Sequence, residues 1–569
     1  MSETGERITR IYSNFRGVDF RGEEINIVRS PDSLNVWKDY KHTDSIRTRP
    51  CMEAVSGGMG NIHSFTLYEG DLIVHHGTNL DRFQPYPPYR KLNALGDNLA
   101  DNDSVMFVNG EYLYIIDGEK YLRTNGRLKA EEVVGYVPTT SIARKVTAEG
   151  DVGGGTIYED VNMIQPRRKN TFVGNDIDKC CYLDRQNLDT DFVPIVKVNG
   201  KNRTDFTVDY AQGLIKITGD APPSPKTDGQ DNIEIEFKKT VDGYRSNVEN
   251  CTLATVFDNR VFVSGNSNHP NYVWHCSLLD PTYFSDLDYY QEGLDDAAVK
   301  GMVAGNNALW VFREPSIENT TVFYHTPTID AEYGKVYPST HSSITIGCVG
   351  KAINFNDDIV FFSNRGMEGI SGDVTTEQMA AHRSSLVDRK MLAEPNYRNM
   401  VLAEWEGYLI VFIGNKAFLA DSRTMVTVDN HYEYEWFYWE MEEEITSAIT
   451  HDGVLYLGTN DGIYTLTDNT SPIESYWVTP KDKFKAPHMQ KTTNKRGCVG
   501  EATGDITVYA KTEKTEFEYI GEYTDIQDCF VSRIKRKKFK DIQLKFHSNT
   551  RFSLESVTLE AWIGGYIKR

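Results

Sequence analysis

Five stretches of this chain hold residue types that do chemistry, and each has a spacing that can be checked against it. NDIDKCCYLD (Asn175–Asp184) and LDRQNLDTDF (Leu183–Phe192) gather carboxylates, the hard oxygen donors that calcium takes. A calcium loop needs ligands at ordered positions around a glycine at its tight turn. Neither stretch has that spacing, and both read as solvated loops. His75 and His76 are the one adjacent pair among 13 histidines, but neighbouring strand residues face opposite sides, which is poor geometry for joint ligation. YEYEWFYWEMEEEITSA (Tyr432–Ala448) is the densest aromatic run. It suits either a ligand-stacking surface or a strand covered on both faces, with Trp436 and Tyr438 on one side and Phe437 and Trp439 on the other; the strand is the favoured reading. In RIKRKKFKDIQLKF (Arg533–Phe546), Arg533, Lys535, Arg536, Lys537, Lys538 and Lys540 could meet phosphates. The plainer readings are the solvated face of a sandwich strand or a salt-bridged seam to an acidic neighbouring subunit, and in a chain of net charge −21 the seam is favoured over nucleic acid.

Catalytic signatures are missing. There is no G-x-S-x-G, H-E-x-x-H, P-loop or Rossmann fingerprint. Sialidase-type S-x-D-x-G-x-x-W boxes and WD, kelch and quinone-dehydrogenase repeats are absent too. Glycosidases need two carboxylates a fixed distance apart, and 82 acidic residues single out no pair. The expectation is therefore a non-enzyme with no catalytic, cofactor-binding or metal-ligating residue and no cofactor. The eight cysteines include the pair Cys180-Cys181 but no C-x-x-C, and read as free thiols in a reducing cytoplasm. The N-terminus MSETGERITR has no apolar core and no run of 18 apolar residues occurs, so neither signal peptide nor membrane insertion is expected.

Those residues are carried by a repeated element. HDGVLYLGTNDGIYTLTD (His451–Asp468) is two apolar runs joined by a turn, a β-hairpin that is not stable alone in water. Similar segments start at Leu67, Val108, Phe257, Gly305, Phe355 and Trp405. With Gly70, Gly110, Asp258, Asn307, Asp357, Gly407 and Gly453 as phase markers, the gaps are 40, 148, 49, 50, 50 and 46 residues. Repeats of 40 to 50 residues, each giving several short strands, mark the blades of a β-propeller, whose faces are covered by neighbouring blades. The Asp452-Gly453 and Asp461-Gly462 pairs then read as tight turns, not ligands. The expected fold is all-β: a propeller of five to seven blades with two appended domains.

The 148-residue gap holds an insertion. In Val193–Thr240, Ile233, Ile235 and Phe237 alternate with Glu234, Glu236 and Lys238, and Asn199-Gly200 is a turn. This predicts a small inserted β-sandwich. After Asp468, the alternating runs DITVYAKT, EFEYIGEYT, KDIQLKFHS and LESVTLEAWI predict a C-terminal β-sandwich. The expected domains are 1–157 (N-terminal segment and first blades), 158–240 (insert), 241–480 (remaining blades) and 490–569 (C-terminal sandwich). TTEQMAAHRSSLVDRKMLA (Thr375–Ala393) is the best helix candidate, and Leu34–Asp39 or Ser45–Pro50 is expected to close the ring as a blade strand.

Three segments carry a resemblance. FRGVD with SPDSLN and TRP (Phe15 to Asp19, Ser30 to Asn35, Thr48 to Pro50) resembles the opening of many bacteriophage structural proteins, with Cys51 where that pattern has glycine. FDNRVFVSGNSNHPNYVWHCSLLDPTYF (Phe257–Phe284) resembles a second segment of the same proteins, and Val198–Pro223 is similar to small inserted domains of phage tail proteins. The resemblance implies a virion component of the head-to-tail connector or tail, similar to the stabilisation and nozzle proteins of short-tailed phages. It further implies a homo-oligomeric ring, commonly a hexamer, around the DNA exit channel. Its partners would be portal, adaptor or tail proteins, with transient, non-specific passage of DNA. The expected location is the virion, after synthesis in the host cytoplasm. The alternatives are a baseplate or tail receptor-binding protein that recognises glycans, and a propeller hydrolase.

Overall fold

The computed structural model describes residues 6–566 apart from 42–44, 332–333, 373, 429–430, 470 and 535–537. The chain is all-β. Its helical segments, among the described residues, are Tyr244–Glu249, Asp388–Met391 and a 3-10 turn at Tyr397–Asn399.

The turn residues explain the repeat. Glu69-Gly70, Asp258-Asn259, Asn306-Asn307, Asn356-Asp357, Glu406-Gly407 and Asp452-Gly453 all have positive φ at both positions. Two-residue hairpin turns of that kind match the right-handed twist of their strands and favour Asn, Asp and Gly. Each of these turns joins the first two strands of a four-stranded meander, the blade unit. The meanders span residues 105–132, 253–291, 299–341, 352–382 and 401–440. Residues 62–96 hold four further strands, of which Ile62–Tyr68 and Asp71–His76 pair as a hairpin. The last blade joins Ser447–His451, Val454–Gly458 and Ile463–Thr467 to Cys51–Ser56. Seven such segments stand among the described residues.

The chain divides into two compact units. One comprises Met1–Gly77, Phe83–Leu92 and Ser342–Arg569. In it the closing strand is Cys51–Ser56, not Leu34–Asp39 or Ser45–Pro50. Those earlier segments instead enter a ten-stranded sheet with the C-terminal strands. Its main path runs Ser33–Leu34, Ser475–Val478, Ile542–Ser548, Met489–Thr512, Phe552–Tyr566, Ile46–Thr48, Val36–Lys38. The first and last strands of that path are separated by Asn35 alone, so the sheet nearly closes on itself like a barrel. Val508, Leu544, Phe546, Leu554, Val557 and Leu559 fill its buried face. The segment expected as a helix, Thr375–Ala393, instead gives the blade strand Met379–His382 and only four helical residues, Asp388–Met391. A strand that completes a blade recovers backbone hydrogen bonds along Gly366–Ser371, and that outweighs local helix propensity.

The second unit comprises Thr78–Arg82 and Asn93–His341. Its insert is a two-sheet sandwich, with six strands in one sheet and Cys180–Tyr182, Leu214–Ile217 and Phe206–Asp209 in the other. Ile233, Ile235 and Phe237 are buried with Phe172, Val196, Ile215 and Ile217, while Glu234, Glu236 and Lys238 point out.

Candidate functional site

In the first unit, the FRGVD, SPDSLN and TRP residues form one buried polar seam. Gly17 sits at φ 118°, and a Cβ there would collide with the Trp436 carbonyl oxygen. Only glycine lets this backbone approach. Asp19 accepts both Arg21 guanidinium nitrogens at 2.9 Å. Arg29 grips Glu435 with a two-pronged fork, both bonds 2.9 Å. Ser30 donates to the Val478 carbonyl at 2.7 Å. Asn35, the residue between the two ends of the sheet path, has φ 54°, a conformation asparagine tolerates. Its amide donates to the Glu474 carbonyl (2.9 Å), and its oxygen accepts from Glu440 N–H (2.8 Å) and Arg49 Nε (3.0 Å). Arg49, 1% exposed, donates onward to the carbonyls of Pro50 and Glu440 and to Glu442. Cys51 begins the closing strand directly, so no glycine turn is needed there.

The same unit holds a histidine clamp that no motif announced. Glu368 and His382 are cross-strand partners in the blade 352–382. His382 Nδ1 lies 3.2 Å from Glu368 and Nε2 2.6 Å from Asp388. Asp388 also accepts the Ser384 hydroxyl at 2.6 Å, and Arg365 reaches Glu368 at 3.0 Å. Burial pushes the imidazole down, but the two carboxylates outweigh it and hold His382 at about 10. Burial likewise pushes Glu368 up, and His382 and Arg365 more than offset that, leaving it lowered. The serine sits on the aspartate, not on the histidine, so this is not a nucleophile–base pair.

In the second unit, the NRVFVSGN…DPTYF segment likewise fastens loops. Asp280 caps Thr282 N–H (2.9 Å) and hydroxyl (2.6 Å). The Pro281 carbonyl accepts Tyr121, and Tyr283 donates to the Asp160 carbonyl. Asn266 donates to the Ser246 and Asn247 carbonyls. His275 in this unit donates to the Cys276 carbonyl at 3.1 Å, and burial holds it down at about 4. Asp288, 3.9 Å away, is pushed up by burial to about 6. Glu292 and His325, both wholly buried, meet at 2.9 Å. Glu292 also takes the Ser339 hydroxyl at 2.6 Å.

The residues singled out by sequence fall as follows. Asp176 accepts Ser224 N–H, Asp178 the Asn175 amide, Asp184 the Thr140 hydroxyl and Asp191 the Lys238 ammonium, so these carboxylates tie loops. Among the described residues no group of three His, Cys, Asp or Glu is placed to hold a metal. His75 and His76 are both buried, and His76 donates to the Met59 carbonyl. Tyr432 at the start of the aromatic run is exposed; the rest divides by alternation, Tyr434, Trp436 and Tyr438 entering one core and Phe437 and Trp439 another. Of the basic cluster, Lys535, Arg536 and Lys537 lie outside the described residues; Arg533 and Lys538 are exposed, and Lys540 N–H donates to Glu513. The cysteines are free thiols, Cys529 exposed and the others buried.

No protein-family model matches the chain, and no curated protein matches it. Solved structures similar to it include BamB from Moraxella catarrhalis (10% identity, 74% of this chain and 97% of that one, TM-score 0.34). The WD40 β-propeller domain of Doa1 (7%, 74% and 97%, TM-score 0.34) and the computationally designed Ika8 protein (10%, 73% and 98%, TM-score 0.31) are others. The propeller architecture stands on the four-stranded blades and their turns.

Proposed function

We propose that the chain is a non-enzymatic structural component of a bacteriophage particle, in the head-to-tail connector or tail. It would work as a homo-oligomeric ring around the DNA exit channel, against portal, adaptor or tail proteins. The observation that supports this most is the fate of the two phage-like segments. Their residues bolt loops and chain ends to the blades through Arg29–Glu435, Asn35 and Arg49 in one unit and Asp280–Tyr283 in the other. Rigidity of that kind suits a part that works by assembly. A net charge of −21 would also let DNA slide past without sticking. The test is native mass measurement of the purified protein together with its quantification in purified particles. Ring-sized assemblies and presence in the particle support the reading; a monomer absent from particles defeats it.

A second reading, a glycan-recognising tail protein, is favoured by one feature of the second unit. Tyr272 and Tyr289 stack at 5.2 Å with His269 beside them, and Tyr289 is 42% exposed. Loss of host attachment in Tyr289→Ala particles, with assembly intact, would move the assignment there.

A further inference from the structure

The first unit contains a cleft of about 470 Å³ that the assembly reading leaves unused. Asn14, Arg16, Arg29, Tyr40, Asp421 and Glu435 are among the groups of its polar lining. We propose that this cleft binds a neutral saccharide.

The charges of the lining already have partners in the fold. Arg29 holds Glu435 by a two-pronged fork, both bonds 2.9 Å, and Arg16 adds a contact to the same carboxylate at 4.0 Å. Asp421 accepts from Arg423, at its backbone N–H (3.0 Å) and at Nε (3.2 Å), and from the Tyr40 hydroxyl. Lys38, at the rim of the same lining, is engaged within the chain as well. A ligand of full charge would have to break one of these pairs or lie beside a buried carboxylate, and a charge left unpaired away from water is costly. An apolar ligand fares no better, because it would shut these groups off from water and return no hydrogen bond. A ligand with no charge and many hydroxyls meets both conditions, since each hydroxyl donates and accepts.

The lining supplies both roles. Arg29 spends two of its five N–H groups on Glu435, and each Glu435 oxygen takes one of those bonds and has a further lone pair. Both side chains are buried and locked in the fork, so they are ordered before any ligand arrives. Arg16, with half its side chain exposed, adds guanidinium donors, and the exposed Asn14 amide adds a donor and an acceptor. Tyr40 is 38% exposed and is fixed by its bond to Asp421 and by Arg423, 3.6 Å over its ring. It offers aromatic surface to the C–H groups of a pyranose. The volume falls in the usual range for small-molecule sites, roughly 300–1,000 Å³. The proposal stands apart from the particle reading, since it concerns a pocket and not assembly, and from the Tyr272–Tyr289 pair, which belongs to the other unit.

The test is saturation-transfer NMR of the full chain with maltose, lactose and diacetylchitobiose as neutral probes and glucuronate as a charged one. With each probe at about 10 mM, a site with a dissociation constant of about 1 mM is mostly filled. At least one neutral disaccharide should bind, and more tightly than glucuronate. Thr424→Trp, which puts a bulky side chain on the cleft lining, should abolish that binding. Arg16→Ala should weaken it by roughly tenfold, because a charge-assisted donor is lost. Urea unfolding of each variant shows whether it is folded, and if one misfolds the other decides. No binding by any neutral probe, glucuronate binding more tightly than all of them, or binding unchanged in a folded variant would each overturn the proposal.

Discussion

His382 in the blade 352–382 and His275 in the blade 253–291 are the same side chain on the same kind of strand, yet they sit near 10 and near 4. Both are pushed down by burial. What differs is the partner. His382 has a carboxylate on each ring nitrogen, and those must be met by N–H donors, so the ring is an imidazolium. His275 spends Nδ1 on a backbone carbonyl, which asks only for one proton and no charge. Its nearest carboxylate, Asp288, is 3.9 Å off and is itself pushed toward the neutral form by burial. Phe262, Tyr290 and Tyr337 surround the ring and supply no compensating charge. A blade can therefore use histidine as a charged rivet or as a neutral filler, and the neighbours one strand away choose which.

The largest way to break the comparison is to remove the rivet. In His382→Gln, Glu368 is left wholly buried with Arg365 as its remaining cation and Asp388 as a like charge across the site. Leaving a buried charge uncompensated costs about 3–5 kcal/mol. Urea unfolding at pH 7 should show a loss of that order; a loss below about 1 kcal/mol would mean the clamp is idle.

The pH dependence separates the two histidines. The folded value of His382 lies above the unfolded 6.5, so folding binds its proton more tightly. Its stabilisation is full below pH 6.5 and is lost as pH rises through about 10. Wild-type stability should decline across that window by a few kcal/mol, and the decline should flatten in His382→Gln. An imidazole NMR signal still protonated at pH 8 would show the same thing directly, and one titrating near 6.5 would contradict it. His275 has the opposite sign. Its folded value lies below the unfolded one, so the unfolded chain takes the proton first and stability falls as pH drops from 6.5 toward 4. Going from pH 7.5 to pH 5, His275→Phe should keep about 2 kcal/mol that the wild type loses. Parallel stability curves for the two chains would exclude a buried neutral ring.

Little of this contrast could be read from residue order. The blades were legible because Asp258-Asn259, Asn356-Asp357 and Glu406-Gly407 are local turn chemistry, and so was the insert, where Ile233, Ile235 and Phe237 alternate cleanly. The split of Trp436 and Tyr438 from Phe437 and Trp439 followed from strand periodicity alone. The closing strand Cys51–Ser56 was not legible, because it pairs with Ile463–Thr467 more than 400 residues away and shows no clean alternation of its own. The same distance hid the docking of Ser33–Leu34 and Ile46–Thr48 onto C-terminal strands. Glu368 and His382 become neighbours only once the register of Gly366–Ser371 on Met379–His382 is known, and the expectation of a helix over Thr375–Ala393 put His382 on the wrong element. The roles of Gly17 and Asn35 were legible only as resemblance, since the carbonyl that excludes a Cβ and the chain ends that meet at Asn35 come from other parts of the chain.

The finest test asks whether the second cation on Glu368 matters. Arg365 donates to the same oxygen as His382, from Nε at 3.2 Å and Nη2 at 3.0 Å, but its side chain is 61% exposed. Water screens that end of the pair, and exposed ion pairs contribute about 0.2–1 kcal/mol. Arg365→Gln should therefore cost less than about 1 kcal/mol at pH 7 and leave the alkaline decline in place, because the proton that is lost there belongs to His382. Raising salt to about 1 M should remove most of the Arg365 effect and little of the His382 effect, since screening reaches exposed pairs far more than buried ones. If Arg365→Gln cost as much as His382→Gln, the rivet would be the arginine, and the difference between the two blades would lie in exposed charge rather than in what each imidazole is bonded to.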